Sequence, residues 1–123
     1  MLNKEDMMFN RDGEGKLIPE ERELDLPDKP KVEVVPMTRG ESLKFMRDVR
    51  VDVEKDWDFE IVKKYCITPK IEDKDIDMIK PYYIKAIAKL VMKVSGLLPE
   101  EEFKDVVDID EIKKKLTQEV KGL

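Results

Sequence analysis

The chain has 123 residues, of which 43% are charged, and its formal net charge is −5. This length suits one domain with a modest core, and two domains are not expected. Lys and Glu are interspersed along the chain, so the surface charge is mixed in sign and gives no steering toward nucleic acid.

Residues able to perform chemistry are scarce. The sequence contains no histidine, and Cys66 is its one cysteine. General bases, metal ligands and nucleophiles therefore have almost no candidates, and no Gly-rich phosphate loop or nucleophile elbow is present. We expect a protein that binds other proteins, with no enzymatic activity, metal or cofactor.

The composition also predicts where the protein works. A single cysteine cannot form a disulfide within one chain, which suits a reducing compartment. The start of the sequence is too polar for a signal peptide, and no apolar run approaches the roughly 20 residues of a membrane span. We expect a cytoplasmic protein that does not bind membranes. Abundant Lys and Glu with few labile side chains resembles the composition of proteins from heat-loving organisms.

Residues 1–30 are predicted to be a flexible, charged N-terminal arm, and residues 31–123 a single helical domain. Gly13 and Gly15 mark a turn, three prolines interrupt helix formation, and few apolar residues offset the ordering entropy. Met7, Met8 and Phe9 are the apolar exception. They either dock on a groove of their own or a neighbouring subunit, or belong to a disordered leader.

Two helices are predicted in the middle of the chain. Lys31–Pro36 alternates apolar and charged residues, the pattern of a short or edge strand, although extended coil fits as well. Thr38 and Glu41 then form a capping box that opens a helix over residues 39–50. Asp56 or Asp58 can cap a second helix, which ends before Thr68-Pro69 because the residue preceding a proline is disfavoured in a helix.

The clearest helical unit lies at residues 69–98. Asp73 can cap a short helix, and Pro81 suits the first turn of a longer one whose apolar residues recur at helical spacing through Val94. Gly96 follows where a left-handed C-cap is needed. Asp108 or Asp110 can cap a final helix. The sequence thus predicts a mainly α fold: a compact domain of four to five helices, with at most one short strand.

Alternating acids at residues 52–60 suggest a calcium loop, but the pattern fails. Such a loop needs glycine at its sixth position and glutamate at its twelfth, and these positions hold Trp57 and Lys63. A second start at Asp73 fails in the same way. The acids are therefore interpreted as a solvated stretch that caps helices.

The sequence gives Cys66 a single interpretation and leaves two for Trp57. Without a histidine to activate it, Cys66 is interpreted as a buried structural thiol. Trp57 is the one tryptophan and lies in a charged neighbourhood. It is either an anchor of the core or an exposed anchor of a protein interface.

A family resemblance rests on the order of these features. The short strand is followed by Val35-Pro36-Met37-Thr38-Arg39-Gly40-Glu41, a helical middle, Ile67-Thr68-Pro69-Lys70-Ile71-Glu72-Asp73-Lys74-Asp75-Ile76, and a helix that ends Val94-Ser95-Gly96-Leu97. Over residues 31–98 the chain resembles the tail assembly chaperones of tailed viruses. That resemblance implies a protein that holds the hydrophobic tape-measure protein during tail assembly and is absent from the finished particle. The long charged arm and the high Lys and Glu content depart from the family pattern.

The leading hypothesis is therefore a viral or proviral assembly chaperone in the host cytoplasm. The alternative is a small structural or adaptor protein of the particle, or a cellular protein-interaction module. Apolar side chains in polar stretches also predict a homo-oligomer. The candidate protein-binding residues are Phe45, Trp57, Phe59, Tyr83, Met7, Met8 and Phe9.

Overall fold

In the computed structural model, which describes residues 1–98, a three-stranded antiparallel sheet packs with three α-helices. The strands are β1 (Glu20–Glu23), β2 (Lys31–Val34) and β3 (Cys66–Thr68), in the order β1-β2-β3. The helices are α1 (Arg39–Val51), α2 (Trp57–Tyr65) and α3 (Pro81–Val94). Two short 3-10 helices lie at Glu5–Met7 and Asp73–Met78.

The prediction of a mainly α fold is wrong, because a three-stranded sheet stands beside the helices. β1 has the sequence Glu-Glu-Arg-Glu and β3 has only three residues. Neither segment shows the apolar and polar alternation by which a strand is recognised. Both strands are stabilised by backbone pairing with β2, which their own sequences do not indicate.

The sequence left Lys31–Pro36 open between a short or edge strand and extended coil, and the structure has the strand β2 there. Val32 and Val34 are buried while Lys31 is exposed, as expected when alternate side chains point to opposite faces. The strand is central, with Arg22 of β1 opposite Val32 and Cys66 of β3 opposite Val34. It is therefore not the edge strand that its short length suggested.

The sheet extends into the predicted N-terminal arm. β1 lies within residues 1–30, and the Leu24 amide that follows it donates to the Pro30 carbonyl at 2.8 Å. The Leu24 side chain is 3% exposed and belongs to the core. Residues 20–24 are thus part of the folded body, while the division of the chain into an arm and a domain stays a prediction.

Local capping positions the helices as the sequence predicts. The Glu41 amide donates to Thr38 Oγ1 and the Thr38 amide donates to Glu41 Oε1, which completes the capping box of α1. Of the two candidate caps for α2, Asp56 accepts from the Phe59 amide. Each cap satisfies a backbone N–H that would otherwise lack a partner at the helix start.

The residues around α3 also follow the sequence closely, with one correction. Pro81 is the first residue of α3, and Gly96 has a φ of 72° where the chain leaves it. The Leu97 amide donates to the Met92 carbonyl, which with the Gly96 bond to Lys93 forms a Schellman motif. Asp73 does not cap the preceding element. That segment is a 3-10 helix, and Glu72 stands at its N-cap.

The core lies between the sheet, α2 and α3. α2 packs against α3, and β2 and β3 complete the apolar interior. In contrast, α1 buries only Ser42 among its 13 residues. The core consists of Leu24, Val32, Val34, Met37, Phe59, Ile61, Val62, Tyr65, Cys66, Ile71, Ile84, Ile87, Ala88, Leu90 and Val91.

The final helix predicted from Asp108 or Asp110 lies outside the described residues. Among residues 1–98, none of the helices combines the length and the apolar character needed to cross a bilayer.

Candidate protein-binding site

An apolar groove lies where the β1–β2 loop, the 3-10 helix at Asp73–Met78 and the start of α3 meet. Its volume is about 510 Å³. Most of the lining is apolar, with three charged side chains at Lys31, Lys74 and Asp75. We call it the Tyr83 groove, and its apolar lining residues are Leu24, Pro30, Val32, Pro69, Ile71, Met78, Ile79, Tyr83 and Ile87.

The floor of the Tyr83 groove is part of the core, whereas its rim is open. Val32 and Ile87 are buried, Tyr83 is half-buried, and Met78 is 88% exposed. Met78 is the last residue of the 3-10 helix Asp73–Met78, which places its side chain at the rim and leaves it open to solvent. A methionine side chain that is almost fully in water beside an apolar cavity adds contact area for an incoming apolar group.

A second cavity continues from the groove across Tyr83. It measures about 340 Å³ and shares Pro30 and Tyr83 with the groove. The Tyr82 and Tyr83 rings lie 4.6 Å apart between centroids, inclined at 34°. The two cavities therefore form one continuous surface, lined by Met78, Pro30, Tyr83 and Tyr82 among others. Tyr and Met are enriched in protein interfaces.

Phe45 and Trp57 lie in a different cavity, of about 570 Å³, between α1 and α2. Their rings meet edge to face with centroids 5.6 Å apart, and Trp57 Nε1 donates to the Asp52 carbonyl at 2.6 Å. Lys55 Nζ lies 5.1 Å from the Trp57 ring centroid. This half-buried indole therefore joins the α1–α2 connection to α2. Its existing contacts support a structural role, and a role in binding stays a prediction.

Charged side chains dominate the lining of this Phe45–Trp57 cavity. Lys63 pairs with Glu60 at 3.2 Å and with Asp73 at 2.8 Å, which engages its ammonium group within the protein. Lys64 pairs with Glu41 at 3.5 Å. Eight of the thirteen residues that line this cavity are charged, against three of twelve in the Tyr83 groove, so an apolar partner finds less apolar lining here.

The remaining candidate residues are divided between the core and the surface. Phe59 is 7% exposed and belongs to the core, so its ring contributes to folding. Met7 is the last residue of the first 3-10 helix and is 70% exposed. Met8 and Phe9 line a small cavity of about 130 Å³ together with Pro36 and Val94, so these two residues lie beside the body of their own subunit.

Two side chains that could serve as acids or nucleophiles are protonated near neutral pH. Burial raises the pKa of the Cys66 thiol to about 11, and its Sγ lies 3.2 Å from the Pro69 carbonyl oxygen. Burial and the hydrogen bond to Glu41 raise the pKa of Tyr65. Among residues 1–98, no three His, Cys, Asp or Glu side chains cluster closely enough to hold a metal ion.

No protein-family model, curated protein or solved structure matches this chain. The Tyr83 groove therefore stands as a candidate site on its own geometry.

Tyr83 was predicted from the sequence as a binding residue, whereas the residues that surround it were not. Met78 and Ile71 come from the segment after β3, Pro30 from the β1–β2 loop, and the groove exists only where they meet. One local signal was available: Met78 is a large apolar residue beside Asp77 in a strongly charged stretch. An apolar side chain that no helical stripe requires is a candidate for contact with a partner.

Proposed function

We propose that this protein is a non-enzymatic assembly factor that binds an apolar segment of another protein. Its resemblance to tail assembly chaperones extends the proposal to the partner, a tape-measure protein of a tailed virus or provirus, held in the host cytoplasm during tail assembly. The observation that carries the proposal is the Tyr83 groove, with Met78 88% exposed at its rim.

The chemistry of the groove supports a protein partner. Its volume of about 510 Å³ accommodates several side chains of a bound segment. A helix presents apolar residues at i, i+3, i+4 and i+7, and a groove of this kind binds such a stripe. Lys31, Lys74 and Asp75 at the groove keep the site hydrated when it is empty, because charged residues around an apolar site favour solubility.

The state of Cys66 and Tyr65 supports a role without catalysis. Both groups have raised pKa values, and Cys66 is fully buried. A nucleophilic cysteine requires a thiolate that substrate can reach. Self-association remains part of the proposal, since Met7 and Met8 expose apolar side chains near the body of the protein.

Co-expression with a tape-measure protein tests the proposal. We expect the tape-measure protein to remain soluble and to copurify with the wild-type chain, and the chain to be missing from purified finished particles. Finding the chain as a stoichiometric component of those particles would instead favour a structural protein. Failure to copurify with the tape-measure protein, with the chain folded, would contradict the chaperone proposal.

A further inference from the structure

A helical turn near the start of the chain holds apolar side chains in water. Leu2 is 69% exposed, and Met7 is exposed to a similar extent. The turn itself is ordered by a polar cap, since the Asp6 amide donates to Asn3 Oδ1 at 3.0 Å. We call residues 2–8 the N-terminal turn. Its apolar side chains are presented to solvent on a formed backbone, which lowers the ordering entropy that binding has to overcome.

The base of the N-terminal turn is fixed to the rest of its own copy. Both Glu5 carboxylate oxygens accept from Arg11 Nη2 at 3.1 Å, and Arg11 Nη1 donates to the Phe9 carbonyl at 3.3 Å. Phe9 also lines the small cavity that includes Val94, the last residue of α3. The turn therefore leaves the body of the protein near the end of α3.

The Tyr83 groove lies at the other end of the same helix. Tyr83 is the third residue of α3, and Val94 is the last. With a rise of 1.5 Å per residue, their separation is about 16 Å along the helix axis. Met7 is accordingly not among the residues that line the groove of its own copy. A twofold axis across the middle of α3 exchanges the two ends of the helix, so it brings the N-terminal turn of each copy toward the groove of the other.

The charges of the two surfaces are complementary. The N-terminal turn carries one lysine and two carboxylates, which are Lys4, Glu5 and Asp6. The groove carries two lysines and one carboxylate, which are Lys31, Lys74 and Asp75. Its lysines are paired with exposed glutamates at 3.7 Å and 3.4 Å, and exposed pairs of this kind contribute so little that they can exchange partners. The matched opposite charges favour the N-terminal turn over an apolar segment of arbitrary charge.

We propose that the N-terminal turn of one copy docks in the Tyr83 groove of a second copy, in a reciprocal dimer. Met7 packs against Met78 and Tyr83, and Leu2 covers apolar lining beside them. Exchange in both directions leaves no turn or groove unoccupied, which closes the assembly at two copies.

This inference rests on the function proposed for the Tyr83 groove and adds a regulation of it. The same surface has two alternative occupants, the N-terminal turn in the free dimer and an apolar segment of the partner protein in the complex. Because the two occupants exclude each other, binding of the partner is coupled to dissociation of the dimer. The dimer also keeps the apolar groove out of water until a partner is present.

Sedimentation velocity over a concentration series measures the dimer in the full-length chain. Met7→Glu changes the turn and Met78→Glu changes the groove, and both wild-type side chains are largely exposed, so the fold should be kept. We expect each substitution to raise the dissociation constant of the dimer by about thirtyfold or more, the effect of losing an interface anchor. Val53→Glu is the matched control, since Val53 is exposed and lies outside both surfaces, and it should leave the constant unchanged.

Disulfide trapping between two differently tagged copies identifies the contact directly. One copy carries Met7→Cys and the other carries Met78→Cys, and Cys66 does not compete because it is fully buried. Under mild oxidation we expect a bond between positions 7 and 78 that joins the two tags, and we expect its yield to fall as a tape-measure protein is added. Met7→Cys mixed with Val53→Cys is the control and should form such a bond much more slowly.

Failure of the dimer and failure of the proposed function give different results. A monomer at every concentration, a dimer that Met7→Glu does not weaken, or a bond from position 7 that forms equally well to positions 78 and 53 would each overturn the reciprocal dimer. In each of those cases, loss of tape-measure binding in Met78→Glu would still support the groove as the site of the proposed function. Conversely, a bond between positions 7 and 78 of two copies, with no binding of a tape-measure protein, would support the docking and contradict the proposed partner.

Discussion

The hydroxyl of Tyr65 donates a 2.9 Å hydrogen bond to Oε2 of Glu41, whose Oε1 accepts from the Thr38 amide at the start of α1. Tyr65 is the last residue of α2 and is 5% exposed. One carboxylate thus caps α1 and ties it to the core. Because α1 buries so little of its own surface, this contact is a principal attachment of the helix.

The Glu41 contact predicts that α1 loosens in acid. Burial acts to raise the pKa of Glu41, but hydrogen bonds from Thr38 and Tyr65, together with Lys64, hold it below its ordinary value of 4.5. A lowered pKa in the folded state gives stability that is present above the unfolded pKa and lost as pH falls through the folded one. We expect the protection of the α1 amides, measured relative to their intrinsic exchange rates at each pH, to fall below about pH 4.5, and to fall less in Glu41→Gln. An equal acid response in Glu41→Gln would contradict this account.

Tyr65→Phe should weaken the attachment of α1 while keeping the core packed. The ring remains buried, but Glu41 loses a hydrogen bond that contributes about 1–2 kcal/mol. We expect a lower midpoint in denaturant with an unchanged slope. A midpoint equal to that of the wild type would show that water replaces the hydroxyl without cost.

Val91→Asp should prevent folding of the domain. Val91 lies on α3, its side chain is fully buried, and a carboxylate there would lose hydration without gaining a partner. Ile87 is 3% exposed, and Ile87→Asp should also prevent folding. Tyr82→Asp is the matched control on the same helix, since Tyr82 is 47% exposed. Circular dichroism and a melting curve measure the outcome, and a cooperative transition in Val91→Asp would refute the assignment of α3 to the core.

Cys66 should be almost inert toward a thiol reagent in the native protein. Its side chain is fully buried and its pKa is raised to about 11, so little thiolate is present or reachable near neutral pH. We expect one thiol to react per chain in denaturant, with native labelling slower by at least about a hundredfold, because reaction requires opening of the fold. Rapid native labelling would contradict the position of Cys66 in the core.

Trp57→Ala should lower stability by about 1–3 kcal/mol, because it removes an edge-to-face ring pair and a hydrogen bond. Trp57→Phe keeps a ring beside Phe45 and loses only the bond to Asp52, so it should cost less. Melting curves give these differences. If Trp57 is instead a binding anchor, Trp57→Ala will reduce capture of a tape-measure protein under conditions where the variant is fully folded.

Local signals in the sequence were sufficient for the helices but not for the sheet. Thr38 with Glu41, and Asp56, satisfy backbone N–H groups at the starts of α1 and α2. Pro81 lacks the N–H that would be unpaired at the start of α3, and Gly96 adopts the left-handed conformation that ends it. All of these signals act within a few residues. A strand such as Glu20–Glu23 is stabilised by its partner, and nothing in its four polar residues indicates that partner.

The candidate site was predictable only in part for the same reason. Tyr83 stands out as an aromatic residue at the start of a helix, but the groove requires three separate segments to meet. Phe59 illustrates the opposite error. Its place in a charged stretch suggested exposure, whereas the helical phase of α2 turns it toward the core.

The affinity of the purified protein for a tape-measure protein, measured by titration with Met78→Glu and Val53→Glu, tests the central proposal most directly. Both wild-type side chains are largely exposed, at 88% and 75%, so neither substitution should alter folding. Only Met78 lines the Tyr83 groove. We expect Met78→Glu to weaken binding by about 2 kcal/mol, near thirtyfold, as loss of an interface anchor does, and Val53→Glu to leave binding within about twofold of the wild type. Equal binding by Met78→Glu and the wild type would contradict the assignment of the groove as the binding site.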